Sequence, residues 1–294
     1  MHAIKDLYEY RQMIFSLVRK DLRGRYKGSV LGFFWTFLNP LLQLVVYTAV
    51  FSYVLRVNID KYYLYLFVGL IPWMFFSSSM TGGAASILAQ KDLIKKIYFP
   101  REVIPISYVT SCFVNMLLTF LVIFAVVLIS GVGLNPLALL CLPIVMVVEY
   151  IMALGIAMLT SAVTVYFRDL EHILGIVSMA WMYMTPIMYT KDMVPDKLLP
   201  LFNINPMTHV IECYRSILYG CHSELENIDF CNGAGHFVPA FGTCCLLEIT
   251  ETFCGGIVMK QDELAISVQD LTKKFKIYYD KGNQLKERLL FRKR

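Results

Sequence analysis

KDLIKKIYFPR, residues 91–101, is a short basic segment between two long stretches of the chain that carry no charged side chain. These stretches are Tyr62 to Gln90 and Val103 to Val148. An apolar stretch of roughly 20 residues crosses a bilayer as a helix, and the second stretch is long enough for one helix, a turn and most of another. We therefore expect segment 91–101 to be a loop at a membrane face, and its Lys and Arg residues place that face in the cytoplasm.

The composition supports a membrane protein. The chain has 294 residues, of which 57% are hydrophobic and 17% are charged, with a mean hydropathy of +0.58. Because soluble domains average about 25% charged residues, this composition excludes an ordinary soluble enzyme. The net charge of +5 does not indicate nucleic-acid binding, because the basic residues before the first apolar stretch are explained by anionic membrane lipid and by the positive-inside rule. These are Lys5, Arg11, Arg19, Lys20, Arg23, Arg25 and Lys27.

Residues 1–28 form the first predicted segment. Apolar side chains between residues 3 and 22 recur along one helical stripe, with charged residues largely outside it, which favours an amphipathic helix in the cytoplasmic interface. A short soluble helix packed on the loops is the alternative. The first 27 residues lack an apolar core of the kind found in signal peptides, so no cleavable signal peptide is expected. The stripe consists of Leu7, Tyr10, Ile14, Leu17 and Val18.

The fold class predicted for residues 29–220 is all-α, with several membrane-spanning helices. Asn39-Pro40 and Pro72 are expected to kink the first two spans, and Gly82 to Ala85 allow close approach of a neighbouring helix. Counting crossings from a cytoplasmic N-terminus places residues 166–172 in the cytoplasm and residues 205–220 outside, as short interfacial helices. The five predicted spans are residues 29–55, 62–90, 104–130, 137–165 and 173–189.

No catalytic, metal-binding or cofactor-binding motif stands out. The sequence has no G-x-x-x-x-G-K-[ST] phosphate loop, so we expect no ATP binding of the usual kind on this chain. Its eight cysteines form no C-x-x-C pair, and its five histidines are scattered. We therefore expect no cofactor, and a chain that is not itself an enzyme.

Glu149 is the ionisable residue that lies well inside a predicted span. A carboxyl group within a membrane is costly, which makes it a candidate functional residue. The equally weighted alternative is a structural hydrogen bond to a Tyr or Ser side chain of a neighbouring helix.

Four segments carry a resemblance to a known family. They are LVRKDLRGRYKGSVLGFFWTFLNPLL (17–42), LIKKIYFPREVIP (93–105), VYFRDL (165–170) and NPMTHVIECYRSILYG (205–220). In this order they resemble the permease subunit of type-2 ABC transporters that export polysaccharides such as O-antigen or teichoic acid. The similarity covers about residues 10 to 220.

The resemblance implies a permease of the cytoplasmic (inner) membrane that exports polysaccharide or lipid-linked glycan. It implies pairing with a second copy of the chain and with two separate ATP-binding subunits. In the family the first cytoplasmic loop is a coupling helix that docks on the ATPase, and a later cytoplasmic loop looks like a second contact. The first loop corresponds here to Lys91, Asp92, Lys95, Lys96 and Arg101, and the second to Arg168, Asp169 and Glu171.

Two other functions remain open from the residues. An integral-membrane enzyme acting on a polyprenyl-linked sugar would need clustered acid and base residues, and Arg168 to His172 is the richest candidate segment. A secondary transporter would be expected to show internal repeats and several charges within the membrane, and the single Glu149 is too few.

The family pattern is lost after Gly220. Residues 221–258 hold five of the eight cysteines, and acidic residues interrupt the place of a sixth span. Residues 259–294 resemble the N-terminus of a polysaccharide-exporter ATPase and end before any phosphate loop. We interpret residues 221–258 as the product of a frameshift near Gly220 that reads into a downstream ATPase gene. The alternative is a genuine fusion.

Overall fold

The uncharged stretches of the sequence form long helices. The computed structural model describes residues 8–25, 28–54, 59, 61–131, 136–195 and 197–219, and these ranges contain no strand. Helix α3 is Tyr62–Ala89, α5 is Val103–Ser130 and α6 is Pro136–Tyr166. Each exceeds the roughly 20 residues that cross a bilayer. Their bounds confirm the second, third and fourth predicted spans to within a residue or two.

The first predicted span combines three helical geometries. A 3-10 turn, Gly32–Phe34, leads into α2, Trp35–Thr48, and a π-helical segment, Ala49–Val54, follows. Together they give an apolar helix of membrane-spanning length from Gly32 to Ser52. Pro40, which was expected to kink this span, lies inside α2.

The predicted fifth span is shorter than the apolar stretch that suggested it. Helix α7, Leu170–Tyr183, has 14 residues and is therefore about 21 Å long, whereas the hydrocarbon core of a bilayer is about 30 Å thick. The helix ends before Pro186, because proline lacks a backbone N–H and disfavours the helical conformation in the residue before it. Four helical segments in the described ranges are long and apolar enough to cross a membrane, so the predicted count of five is not confirmed.

Two shorter helices follow; one lies within residues 205–220, where short helices were predicted, and the other precedes that segment. Helix α8 is Leu199–Ile204 and α9 is Pro206–Leu218. The Asn205 side chain caps α9 by accepting a hydrogen bond from the backbone N–H of Met207 over 3.1 Å. Helix α9 packs against α3 and α6.

Helix α3 lies at the centre of the bundle, where it contacts α2, α5, α6, α7 and α9. Its small residues bring the neighbouring helices close. A Cβ atom added to Gly82 would lie 2.0 Å from the hydroxyl of Tyr108 on α5, and one added to Gly83 would lie 2.7 Å from the Cβ of Ala157 on α6. The glycines predicted to allow close packing therefore do so within one copy of the chain.

The predicted segments 221–258 and 259–294, and with them the disrupted sixth span, lie outside the described residues.

Candidate functional site

The basic segment between the second and third spans forms a short helix. Helix α4, Lys91–Lys96, begins directly after α3 and places Asp92 in its first turn and Lys95 and Lys96 in its last turn. This charge order matches the helix dipole. The chain becomes extended at Ile97, which ends the helix. The charged side chains of α4 are exposed, as is that of Arg101 after it.

A buried apolar cluster holds the segment after α4 in place. Phe99 is 6% exposed and packs in one cluster with Ile87, Val103 and Ile104, at the ends of α3 and α5. Apolar side chains of helix α1, Arg11–Gly24, cover the same cluster. The α4 segment is therefore fixed to two long helices and to α1, while its charged side chains remain in solvent.

Helix α1 contacts α5, and Ile14 and Leu17 of the predicted apolar stripe pack on the cluster around Phe99. At its C-terminal end, Arg25 bonds Asp21 at 3.0 Å and the hydroxyl of Ser111 at 3.2 Å, and Ser111 also donates to Asp21. Lys20 donates to the side-chain oxygen of Gln90 over 3.2 Å. Phe15 remains 67% exposed on another face of α1, which leaves an apolar side chain available for the membrane interface.

The second predicted contact follows α6. Arg168, Asp169 and Glu171 are all exposed, and the backbone of Asp169 begins α7. Because α5 and α6 are consecutive spanning helices separated by five residues, this loop lies at the same end of the bundle as α4. Throughout the described ranges, none of the eight charged side chains predicted for coupling forms an ion pair, and no hydrogen bond joins the two groups.

Exposed aromatic residues accompany both groups of charges, although the sequence patterns did not point to them. Tyr98 is 80% exposed beside α4, and Tyr166 is 77% exposed beside Arg168. Ile97 and Phe167 are each at least half exposed. Tyrosine and arginine are enriched among residues that dominate protein–protein binding. A sequence signal for these residues was available, because they are apolar or aromatic residues next to charged ones in the loops between spans. We call this set of charged and apolar side chains, within residues 91–101 and 166–171, the coupling surface.

Glu149 lies inside the bundle and is completely buried. Its Oε2 accepts a hydrogen bond from the hydroxyl of Tyr214 on α9 over 2.7 Å, while Oε1 has no partner among the described residues. This geometry fits the structural contact with a tyrosine that was one of the two interpretations. A functional role for Glu149 stays a prediction.

Arg215 is a buried polar residue whose role the sequence did not suggest. Its guanidinium donates to the backbone carbonyls of Pro186 and Ile187 over 2.6 and 2.7 Å and stacks 3.6 Å from the ring centroid of Tyr65. These carbonyls belong to the non-helical segment after α7, where backbone groups inside an apolar bundle need partners. Arg215 therefore joins α9, α3 and the end of α7. The sequence did carry a signal that Arg215 is buried, because Arg215 lies between the apolar residues Ile211 and Leu218 on one face of α9.

Within the described ranges, no cluster of His, Cys, Asp or Glu side chains could hold a metal ion. The geometry instead offers a charged and aromatic surface at one end of the bundle, suited to binding another protein.

Comparison with known proteins identifies the family of the chain. The sequence profile of the ABC-2 type transporter family matches residues 12–219. The chain is 37% identical over 237 residues to an O-antigen export system permease protein of Klebsiella pneumoniae, covering 81% of this chain and 92% of that protein. It is 35% identical over 224 residues to the corresponding protein of Myxococcus xanthus, covering 74% and 85%. A polysialic acid transport protein of Escherichia coli is 22% identical over 222 residues, covering 73% and 84%.

The matched range runs from α1 to the end of α9 and so spans all the described helices. The O-antigen relatives are named as permeases of export systems, which points to a transport permease and not to an enzyme. This chain belongs to the ABC-2 type transporter family.

Proposed function

We propose that this chain is the inner-membrane permease of an ATP-driven exporter of cell-surface polysaccharide or lipid-linked glycan. The similarity to O-antigen export permeases over most of their length supports this substrate class. Membership of the ABC-2 family implies a partner that binds ATP, and the absence of a phosphate loop from the sequence agrees with a separate ATP-binding subunit.

The coupling surface is the proposed docking site of that subunit. The observation that carries this proposal is the exposure of Lys95 and Lys96 on α4, with no ion pair in the described ranges. Unpaired charges beside exposed aromatic residues are suited to electrostatic recognition of a protein partner. We place this face in the cytoplasm, where the ATPase and its nucleotide would be.

The packing around α4 suggests how movement of the ATPases would reach the membrane-spanning helices. When the ATPases close around ATP, a displacement of α4 would pass through Phe99 to the ends of α3 and α5, because these residues share one packed cluster. Helix α1 covers the same cluster and would move with it. ATP hydrolysis stays on the partner, and the permease supplies the lever and the conduit.

The first prediction tests this coupling. Reversing the charges in a Lys95→Glu, Lys96→Glu double variant should lower export at least tenfold, because like charges placed across an interface cost several kcal/mol. Export is measured as glycan at the cell surface in cells that lack their own permease. Membrane insertion, measured by fractionation and immunoblotting, should stay unchanged because both side chains are exposed.

A Lys95→Arg, Lys96→Arg variant is the matched control, since it keeps both charges, and it should export normally. Co-purification of the ATPase should fall only for the glutamate variant. Normal export by the glutamate variant would show that α4 is not the coupling element.

A further inference from the structure

A cavity with polar side chains in its lining lies among the apolar helices of the bundle. It has a volume of about 190 Å³ and lies between α2, α3 and α5, beside the C-terminal end of α1. About six water molecules at the density of the liquid would occupy this volume. One pyranose ring with its hydroxyl groups has a similar bulk. The cavity is distinct from the coupling surface, because the two have no residue in common.

Two polar atoms in the lining lack the partners that buried groups normally have. Thr36 is 2% exposed, and its Oγ1 has no hydrogen-bond partner among the described residues. The same holds for Oδ1 of Asn115 on α5. Buried polar groups without partners are unfavourable and uncommon in folded proteins. Their shared position in one cavity indicates that a molecule with hydrogen-bonding groups occupies it.

The charge of the lining favours a neutral occupant. Arg25 is the one charged side chain in this lining, and its guanidinium is paired with Asp21 at 3.0 Å. The other polar lining groups are neutral amides and hydroxyls, as in Asn39, Ser78 and Thr119. A phosphate group would need positive charge that is not already balanced. Neutral hydroxyl groups, which both donate and accept, match this lining.

The cavity also presents aromatic rings and opens on the side of α2. Trp35 and Phe75 lie in the lining, and the Trp35 indole is held by a hydrogen bond of 3.0 Å to Ser29. Asn39 is exposed on α2 while it also lines the cavity. A sugar ring combines an apolar C–H face, which packs on aromatic rings, with a rim of hydroxyl groups. This combination matches the two kinds of lining side chain.

We propose that this cavity is a binding subsite for one neutral monosaccharide unit of the exported glycan. The inference rests on the proposed function and adds to it a sugar site inside a single copy of the permease. Thr36 and Asn115 bind the sugar hydroxyls, and the aromatic side chains pack on the ring.

The test uses the full chain with its ATPase partner in lipid nanodiscs, because maltoside detergents themselves contain sugar. Saturation-transfer NMR measures binding of methyl α-D-mannopyranoside, methyl β-D-galactopyranoside and methyl N-acetyl-β-D-glucosaminide. At least one of these should bind the wild type, with an affinity about tenfold lower in Thr36→Val and in Asn115→Leu, since each variant removes one hydrogen-bonding group and nearly keeps the side-chain shape.

Thr48→Val is the matched control. Thr48 lies on the same helix, and its hydroxyl is also buried without a partner in the described ranges, but it does not line the cavity. This variant should bind sugar as the wild type does. None of the threonine variants should lower the unfolding temperature, because each replaces an unpaired buried hydroxyl by a methyl group.

Three other binding outcomes would overturn the subsite. Equal binding by Thr36→Val and Thr48→Val would place the sugar elsewhere. Displacement of the sugar by inorganic phosphate would indicate an anion site. Absence of binding by all three glycosides would mean that the cavity holds ordered water only.

Surface glycan is measured in parallel for the wild-type complex. Export without sugar binding would refute the subsite alone, whereas sugar binding without export would refute the proposed function.

Discussion

Tyr214 donates its hydroxyl to the carboxyl group of Glu149 over 2.7 Å, in a place where both side chains are fully buried. A Tyr214→Phe substitution leaves the shape unchanged but removes the donor, so that both carboxyl oxygens of Glu149 lack partners among the described residues. We predict a loss of about 1–3 kcal/mol of stability, because an unsatisfied buried polar group retains its full desolvation penalty. Thermal unfolding followed by tryptophan fluorescence measures the change.

Tyr183→Phe provides the control, since Tyr183 is 61% exposed and its variant should unfold as the wild type does. Combining Tyr214→Phe with Glu149→Leu removes both partners, and the double variant should lose less stability than the sum of the two single variants. Strict additivity would show that the hydrogen bond is not energetically significant. Export by a stable Glu149→Gln variant then tests the functional interpretation of Glu149 separately.

At the scale of elements, the contact between α3 and α6 depends on a missing side chain. A Cβ at Gly83 would lie 2.7 Å from the Cβ and 3.3 Å from the Cα of Ala157, so Gly83→Ala forces the two helices apart. We predict a destabilisation of about 1–3 kcal/mol, typical of an overpacked core. The same unfolding measurement applies, and Ala157→Gly added to this variant should restore part of the loss.

Gly175→Ala is the matched control within α7, because a Cβ there would have no atom within 4 Å. It should be neutral or slightly stabilising, since alanine has the higher helix propensity. A similar loss in both variants would mean that Gly83 acts through the helix backbone and not through the contact with Ala157.

The same elements show what sequence patterns can and cannot predict. Long apolar stretches predicted α3, α5 and α6 closely, because length and hydropathy are local properties of the chain. The fifth predicted span is not confirmed, because hydropathy does not register the helix end imposed by Pro186. Sequence also identified Glu149 as a buried polar residue, but its partner Tyr214 lies 65 residues away. The roles of Arg215 and of the cavity between α2, α3 and α5 likewise depend on contacts between distant segments.

At the scale of the molecule, burial differs sharply between spans. Within the span Tyr62–Lys96, 78% of the residues in its most apolar stretch are buried inside the chain. In the span Gly32–Ser52 the corresponding share is 17%. Helix α3 is thus packed on many sides, and the cavity beside it, of about 190 Å³, has room for a single sugar unit but not for a polymer to pass. Helix α2 instead presents a row of exposed apolar side chains to lipid or to another protein. These are Leu42, Val45 and Val46, and Val50 in the π-helical segment continues the row.

We therefore predict that the working exporter contains two copies of this permease and two ATPases, with the glycan passing at or between the permeases. A second copy related by twofold symmetry, the commonest arrangement of homo-oligomers, would enclose a path that one copy lacks. Native mass spectrometry of the complex extracted with its lipids should give a mass equal to two copies of each subunit. As a control for chance association, the stoichiometry should persist on tenfold dilution. A stable, export-competent complex with a single permease would place the conduit within one chain.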